Sequence, residues 1–305
     1  MKYLLPLALI CLSTSIFAID SLKCDQIYLL MDGKKWDEAK SEIDAVKDLD
    51  DPEYYALLLN YYFGKAESSS ISIVTDPPMG DESSPSFTDS TGQKYYVAAN
   101  PSYDTTLIAE GLELFKPSLE KFPSRLDLQF GYVFAAQQFG YYEDAESCMM
   151  NILKISKEIN NGWLWSYNAP LPNAETSMLS QTQAMVYRLF RAEKPEADSV
   201  ILRVSGKMME LYPESAYGYN NIGSLYNMKN SYDKALVYFL KAYKAAPNDA
   251  LVMANLADTY LMLENYDTAI YYLNKIVEIG DEELAPWAQD VLKEIGNAAQ
   301  SDEMY

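Results

Sequence analysis

The chain has 305 residues, is 49% hydrophobic, and carries a formal charge of −20 with no histidine. Without histidine it lacks the usual general base at neutral pH and the commonest metal ligand, so neither a Ser-His-Asp nor a Cys-His catalytic set can be built within it. So acidic a surface repels phosphate backbones and anionic lipid, which argues against nucleic acid and membrane surfaces as partners.

The N-terminus reads MKYLLPLALICLSTSIFA. Lys2 is a minimal basic region, Leu4 to Cys11 an apolar one, and Ile16 and Ala18 stand three and one residues before a cleavage point after Ala18. Residues 1–18 therefore read as a secretory signal peptide. The apolar run is shorter than the ~20 residues of a spanning helix, and no later segment is apolar enough to span a bilayer. An exported protein is expected, periplasmic or secreted, with no membrane insertion after cleavage. Cys24 and Cys148 remain after cleavage; two buried free thiols are expected rather than a disulfide.

A short motif keeps time along the rest: an aromatic, an acid, any residue, then alanine. It occurs as Trp36-Asp37-Glu38-Ala39, Tyr142-Glu143-Asp144-Ala145, Tyr232-Asp233-Lys234-Ala235 and Tyr266-Asp267-Thr268-Ala269. The last two copies are 34 residues apart, as are Pro213 and Pro247. That period with helical patterning marks a helix–turn–helix repeat. The earlier gaps, 106 and 90 residues, each leave room for one unmarked repeat and an insertion.

In chain order, residues 19–65 hold repeat one (22–50, carrying Trp36) and the first helix of repeat two (53–64), with Asp51 as cap and Pro52 in the first turn. Residues 66–102 are an insertion rich in Ser, Pro and Gly; Ile71–Val74 and Tyr95–Ala98 have strand character, so a small β-hairpin is expected there. Residues 103–158 complete repeat two with a helix at 104–121 and add repeat three at 124–158. Residues 159–178 are a second, aromatic insertion. Residues 179–280 carry repeats four (179–212), five and six (215–280). Within 281–305, residues 282–296 form an amphipathic helix that covers the last repeat.

Tyr219, Ile222, Gly223 and Tyr226 fall on one face of a first helix, and Tyr232, Ala235, Phe239 and Ala242 on one face of a second. The small residues stand where two backbones approach, and the large ones fill the space beside them. This segment resembles the tetratricopeptide repeat, whose pattern of large, small and closing proline positions it meets at Tyr219, Ile222, Tyr226, Phe239, Gly223, Ala235, Ala242 and Pro247. The next repeat matches at Leu256, Ala257, Tyr260, Ala269 and Leu273, and departs at Ile276 and Asp281. The preceding one keeps Pro213 but has Leu189, Ile201 and Ser205 at packing positions. The expected fold is all-α, a right-handed helix–turn–helix solenoid of about six repeats with a C-terminal capping helix and two non-helical insertions.

The resemblance implies interaction and no reaction: an exported, non-catalytic scaffold binding a protein or peptide in its concave groove, without cofactor or metal. By that resemblance the groove is lined by Tyr217, Asn220, Ser224, Asn227 and Met228 of repeat five and by Leu251, Ala254, Asp258, Leu261 and Met262 of repeat six. Asparagines there can pair with a peptide backbone and methionines offer adaptable contacts. The helices 216–228 and 251–263 hold no Lys or Arg, which argues against a clamp for a C-terminal carboxylate. In the second insertion an extended chain would point Trp163, Trp165 and Tyr167 to one side; they either pin the loop or form a platform for a glycan or small ligand. Asp76, Asp81, Glu82 and Asp89 offer carboxylates at a spacing that matches no calcium loop. Ser118-Leu119-Glu120-Lys121 and Ser231-Tyr232-Asp233-Lys234 fit an S-x-x-K pattern by coincidence, since its companion motifs are absent.

Overall fold

The computed structural model describes residues 19–302 except 77–83 and 193. The signal-peptide expectation and the carboxylates Asp81 and Glu82 lie outside the described residues. The chain is all-α, built of helix hairpins, and divides into two compact units: Met1–Phe122 with Ser166–Asn168, and Pro123–Trp165 with Ala169–Tyr305.

The first unit begins with the hairpin α1 (Ser21–Asp32) and α2 (Trp36–Ala45), followed by α3 (Pro52–Ala66) and α4 (Thr105–Phe115). Asp20, Asp51 and Asp104 cap α1, α3 and α4, each accepting from a backbone N–H in the first turn. Trp36 lies edge-on to Tyr61 at 6.0 Å and against Gly64, where a Cβ would stand 2.7 Å from its ring; α2 and α3 meet there. The helix expected at 104–121 is broken: α5 (Pro117–Lys121) starts anew because Pro117 brings no N–H to continue α4.

The insertion between α3 and α4 is larger and more regular than a hairpin. It is a three-stranded antiparallel sheet, β1 (Glu67–Val74), β2 (Ser86–Thr88) and β3 (Lys94–Tyr103), in the order β1-β3-β2. The register runs from Glu67 opposite Tyr103 to Val74 opposite Tyr96. Because pairing starts at the first residue after α3, Asp104 N–H donates to Ala66 C=O at 2.9 Å. Chain entry and exit are thus adjacent, and α3 packs on α4 as though they were joined directly. The strands reach beyond their apolar centres because ladder hydrogen bonds hold the serines of β1 as well as the isoleucines.

The second unit stacks the hairpins α6 (Leu126–Gln138) with α7 (Tyr142–Glu158), α8 (Ala174–Ala192) with α9 (Pro195–Leu211), α10 (Ala216–Met228) with α11 (Tyr232–Ala245), and α12 (Ala250–Met262) with α13 (Tyr266–Ile279). α14 (Leu284–Asp302) covers α13 and runs beyond the expected 282–296. The first helices α6, α8, α10 and α12 contact one another in sequence and form one layer. The aromatic insertion is shorter than 159–178, since α8 begins at Ala174. Its only regular pairing is two-residue strands, β4 (Leu164–Trp165) with β5 (Ala169–Pro170).

All four motif aromatics, Trp36, Tyr142, Tyr232 and Tyr266, are the first residues of second helices, and the alanines three residues on are fully buried. The turn before each has one construction. The residue two before the aromatic has positive φ: Lys34 54°, Gly140 82°, Asn230 54° and Glu264 58°. The next residue donates its N–H five residues back, at 2.8–2.9 Å, to Leu30, Ala136, Tyr226 and Tyr260 C=O. These are Schellman closures of the first helices. Tyrosines fill the layer between the helices of the last repeats. Tyr272 stacks on Tyr260 at 5.9 Å and meets Tyr243 edge-on at 5.4 Å, and burial, with those tyrosines and Tyr271 beside it, pushes its hydroxyl up to about 12.

Candidate partner-binding face

Three helices of the second unit, α8, α10 and α12, carry a row of side-chain amides across their shared layer. Gln183 Nε2 donates to Asn221 Oδ1 at 2.8 Å, Asn255 Nδ2 donates to Asn220 Oδ1 at 2.8 Å, and Asn227 Nδ2 donates to Asp258 Oδ2 at 3.1 Å. Thr259 Oγ1 donates to Asn255 C=O at 2.6 Å. At the neighbouring helix, Gln137 Nε2 donates to Met185 C=O at 3.1 Å. Two atoms in the row are buried and unpartnered: Asn221 Nδ2, on a residue only 1% exposed, and Gln183 Oε1. Whichever way the two amides are turned, one donor and one acceptor stay open, because the single bond between them uses one of each.

The expected groove residues are placed differently from one another. Met228 and Met262 are exposed at the ends of α10 and α12, and Asp258 is exposed beside Asn227. Tyr217, Ser224 and Asn227 are half-buried. Asn220 is a correction: it is buried and its carbonyl oxygen is taken by Asn255, so it braces two helices and offers no open oxygen. Ala254 is likewise buried, while Leu251 is exposed. Asn221, Asn255 and Gln183, which the resemblance does not name, lie in the row beside these residues. A signal existed: Asn221 and Asn255 are 34 residues apart, the repeat length itself.

Beside this row, Gln137, Gln138, Arg188 and Arg191 line a cleft of about 340 Å³. The chain has four arginines. Arg125 is chelated by Asp127 and Arg203 by Glu146. Among the described residues, no carboxylate pairs with Arg188 or Arg191. Arg188 lies 4.0 Å over the Phe134 ring, donates to Gln138 Oε1 at 2.8 Å, and has a buried, unpartnered Nε. Burial and the charge of Arg191 lower its pKa.

The aromatic insertion supplies no platform. Trp163 is 1% exposed in the second unit, Trp165 is half-buried in β4, and the chain is not extended through to Tyr167, which has φ of 58° in a 3-10 turn. Tyr167 belongs to the first unit, where its N–H donates to Glu53 Oε1 at 2.7 Å. Cys24 and Cys148 are buried free thiols; burial raises both, Cys148 to about 12.

Among the described residues, no group of three or more metal-ligating side chains comes together, and no helix is long and apolar enough to cross a membrane. Asp89 is engaged locally: its Oδ1 accepts from Thr91 N–H, Thr91 Oγ1 and Gln93 N–H in the β2–β3 turn, which lowers its pKa. The S-x-x-K residues have structural places. Ser118 is buried in α5 and Lys121 pairs with Asp50, while Ser231 precedes α11 and Lys234 lies 5.5 Å over Tyr226.

Residues 214–282, which span α10 to α13, match the tetratricopeptide repeat family model. The segment is a pair of tetratricopeptide repeats. In the first of the two, every position of the repeat pattern that demands a small residue, Gly223, Ala235 and Ala242, is buried. No curated protein sequence matches the chain. Among solved structures, YrrB, described as a TPR protein with an unusual peptide-binding site, is 18% identical, with 61% of this chain and 85% of that one covered and a TM-score of 0.37. PilF of Pseudomonas aeruginosa is 20% identical over 64% and 82% of the two chains, with a TM-score of 0.38. MamA of Desulfovibrio magneticus RS-1 is 14% identical over 59% and 89%, with a TM-score of 0.37. The tetratricopeptide repeats of this chain carry the amide row, and repeat four supplies Gln183.

Proposed function

We propose that the protein is an exported, non-catalytic scaffold whose amide row receives an extended segment of a protein partner. The unpaired donor at Asn221 and acceptor at Gln183 carry this reading; both are buried between α8 and α10, so a partner reaches them only as those helices part. Together they are the complement of one peptide group, which offers a C=O and an N–H. A buried polar atom left unpaired costs about 1–3 kcal/mol, so a ligand that fills both recovers that cost less the work of parting the two helices. Met228 and Met262 flank the row with adaptable apolar surface. The acid-free arginine pair beside it favours a segment with a carboxylate at that end. The residues 1–18 direct the chain out of the cytoplasm, so the partner is itself an exported or envelope protein. The aromatic insertion no longer supports a glycan-binding alternative, because its first tryptophan is buried.

The test is crosslinking in intact cells followed by mass spectrometry. Partners caught by the native protein should be lost from Asn221→Ala and from Gln183→Ala, both read with circular dichroism to verify folding. Capture that persists in both folded variants refutes the amide row as the binding surface.

A further inference from the structure

The backbone N–H of Ile19 is hydrogen-bonded at 2.5 Å to Oδ2 of Asp51, and the contact is buried. Ile19 is 8% exposed and Asp51 3%. The other oxygen of Asp51 caps α3 by accepting from Glu53 N–H at 2.9 Å. Among the described residues, no lysine or arginine pairs with Asp51. It is therefore a buried carboxylate lacking a cation, an arrangement that is costly unless a counter-charge is supplied. Ile19 is also the residue that follows Ala18, the expected last residue of the signal peptide.

We propose that removal of residues 1–18 supplies the missing cation: the new α-ammonium group of Ile19 forms a buried ion pair with Asp51. A leader-cleaving peptidase adds water across the Ala18–Ile19 amide. The carboxyl group leaves on Ala18, and the amine stays on Ile19 and takes a proton, since an α-amino group titrates near ~8. A neutral N–H donor becomes a charged one, and a hydrogen bond becomes a charge-assisted pair. The site is built for this end of the chain. First residues are ordinarily loose, but Ile19 buries its side chain, and Asp20 caps α1 directly after it by accepting from Leu22 N–H at 3.2 Å. Asp51 in turn fixes the start of α3. Processing thus ties the first helical hairpin to repeat two, and the processed chain is the more stable form.

The inference rests on the export reading, and two separate measurements keep the two apart. N-terminal sequencing of the exported protein should return Ile-Asp-Ser-Leu; any other first residue overturns the assignment of Ile19 as the new terminus. Independently, the chain 19–305 can be released from a fusion with a free Ile19, and compared with the same chain N-acetylated or extended by Gly-Ser. Breaking a buried pair from one side is expected to lower the melting temperature on the order of 5 °C or more. The comparison is repeated in Asp51→Asn, which keeps a side-chain oxygen for the cap. There the free and blocked forms should melt within about 1 °C of each other, because the partner charge is gone. No difference between free and blocked forms of the native sequence overturns the proposal. So does an equal difference in Asp51→Asn, which would mean that blocking acts by crowding alone.

Discussion

Gly223 and Phe239 occupy one space, and that sharing makes a sign-reversal test possible. Phe239 is fully buried, and a Cβ built at Gly223 would stand 2.6 Å from two of its ring carbons. Gly223→Ala alone adds helix propensity worth about 1 kcal/mol but overpacks the ring at about 1–3 kcal/mol, a net loss of about 1 kcal/mol. Phe239→Ala alone empties the space and costs about 3–5 kcal/mol. In that background the methyl at 223 meets no ring. Its overpacking disappears and the propensity gain remains, so the double variant should be more stable than Phe239→Ala by about 1 kcal/mol. Urea unfolding of the full chain, followed by circular dichroism, reads these differences as midpoint shifts at unchanged slope. Hydrogen exchange of amides in α10 and α11 localises them. If Gly223→Ala destabilises both backgrounds equally, the two residues do not share that space and the packing account of the repeat is wrong.

Tyr272 has a folded pKa of about 12, raised by burial above the unfolded value near ~10. Its contribution is present below pH ~10 and is lost as pH rises toward 12; melting temperature across that window should fall less steeply in Tyr272→Phe. The thiol of Cys148, pushed up to about 12 and bonded to Gln129 at 3.3 Å, should resist alkylation at pH 8 until urea unfolds the chain; labelling at the native rate of a free thiol would refute its burial. Replacing Glu67–Tyr103 with a short glycine-serine turn should leave α3 and α4 paired, since the insertion begins and ends at Ala66 and Asp104, 2.9 Å apart in their backbone bond. Loss of helical circular dichroism beyond the deleted residues would show that the sheet holds the helices together.

The repeat architecture was legible because side-chain size is periodic. Trp36, Tyr142, Tyr232 and Tyr266 mark four second helices at their first residue, and the two gaps between them correctly imply two insertions. What the sequence did not show is what backbone bonding decides. Strand β1 reaches Glu67 through serines with no strand preference, because β3 lies opposite to complete the ladder. The start of α8 at Ala174 lies among Pro, Asn, Glu and Thr, which carry no helical period. Trp163, Trp165 and Tyr167 looked like one face only on the assumption of an extended chain, and a single turn at Tyr167 removes it. Within the candidate face, the family pattern named Met228 and Met262, which are exposed; it did not name Gln183, whose pairing with a side chain on another repeat has no short-range signature, nor Asn221, marked only by its 34-residue spacing from Asn255.

The four left-handed turn residues have a consequence for engineering. The same backbone geometry is held at Lys34, Gly140, Asn230 and Glu264 by four unlike side chains, so carbonyl acceptors, and not residue identity, dictate the bend. A side chain with a Cβ tolerates that geometry at a penalty of about 1–2 kcal/mol, which glycine escapes. Lys34 and Glu264 are thus two solvent-facing sites where exchange for glycine or asparagine relieves torsional strain without touching a helix interior, giving a route to a hardier chain that leaves the amide row as it stands.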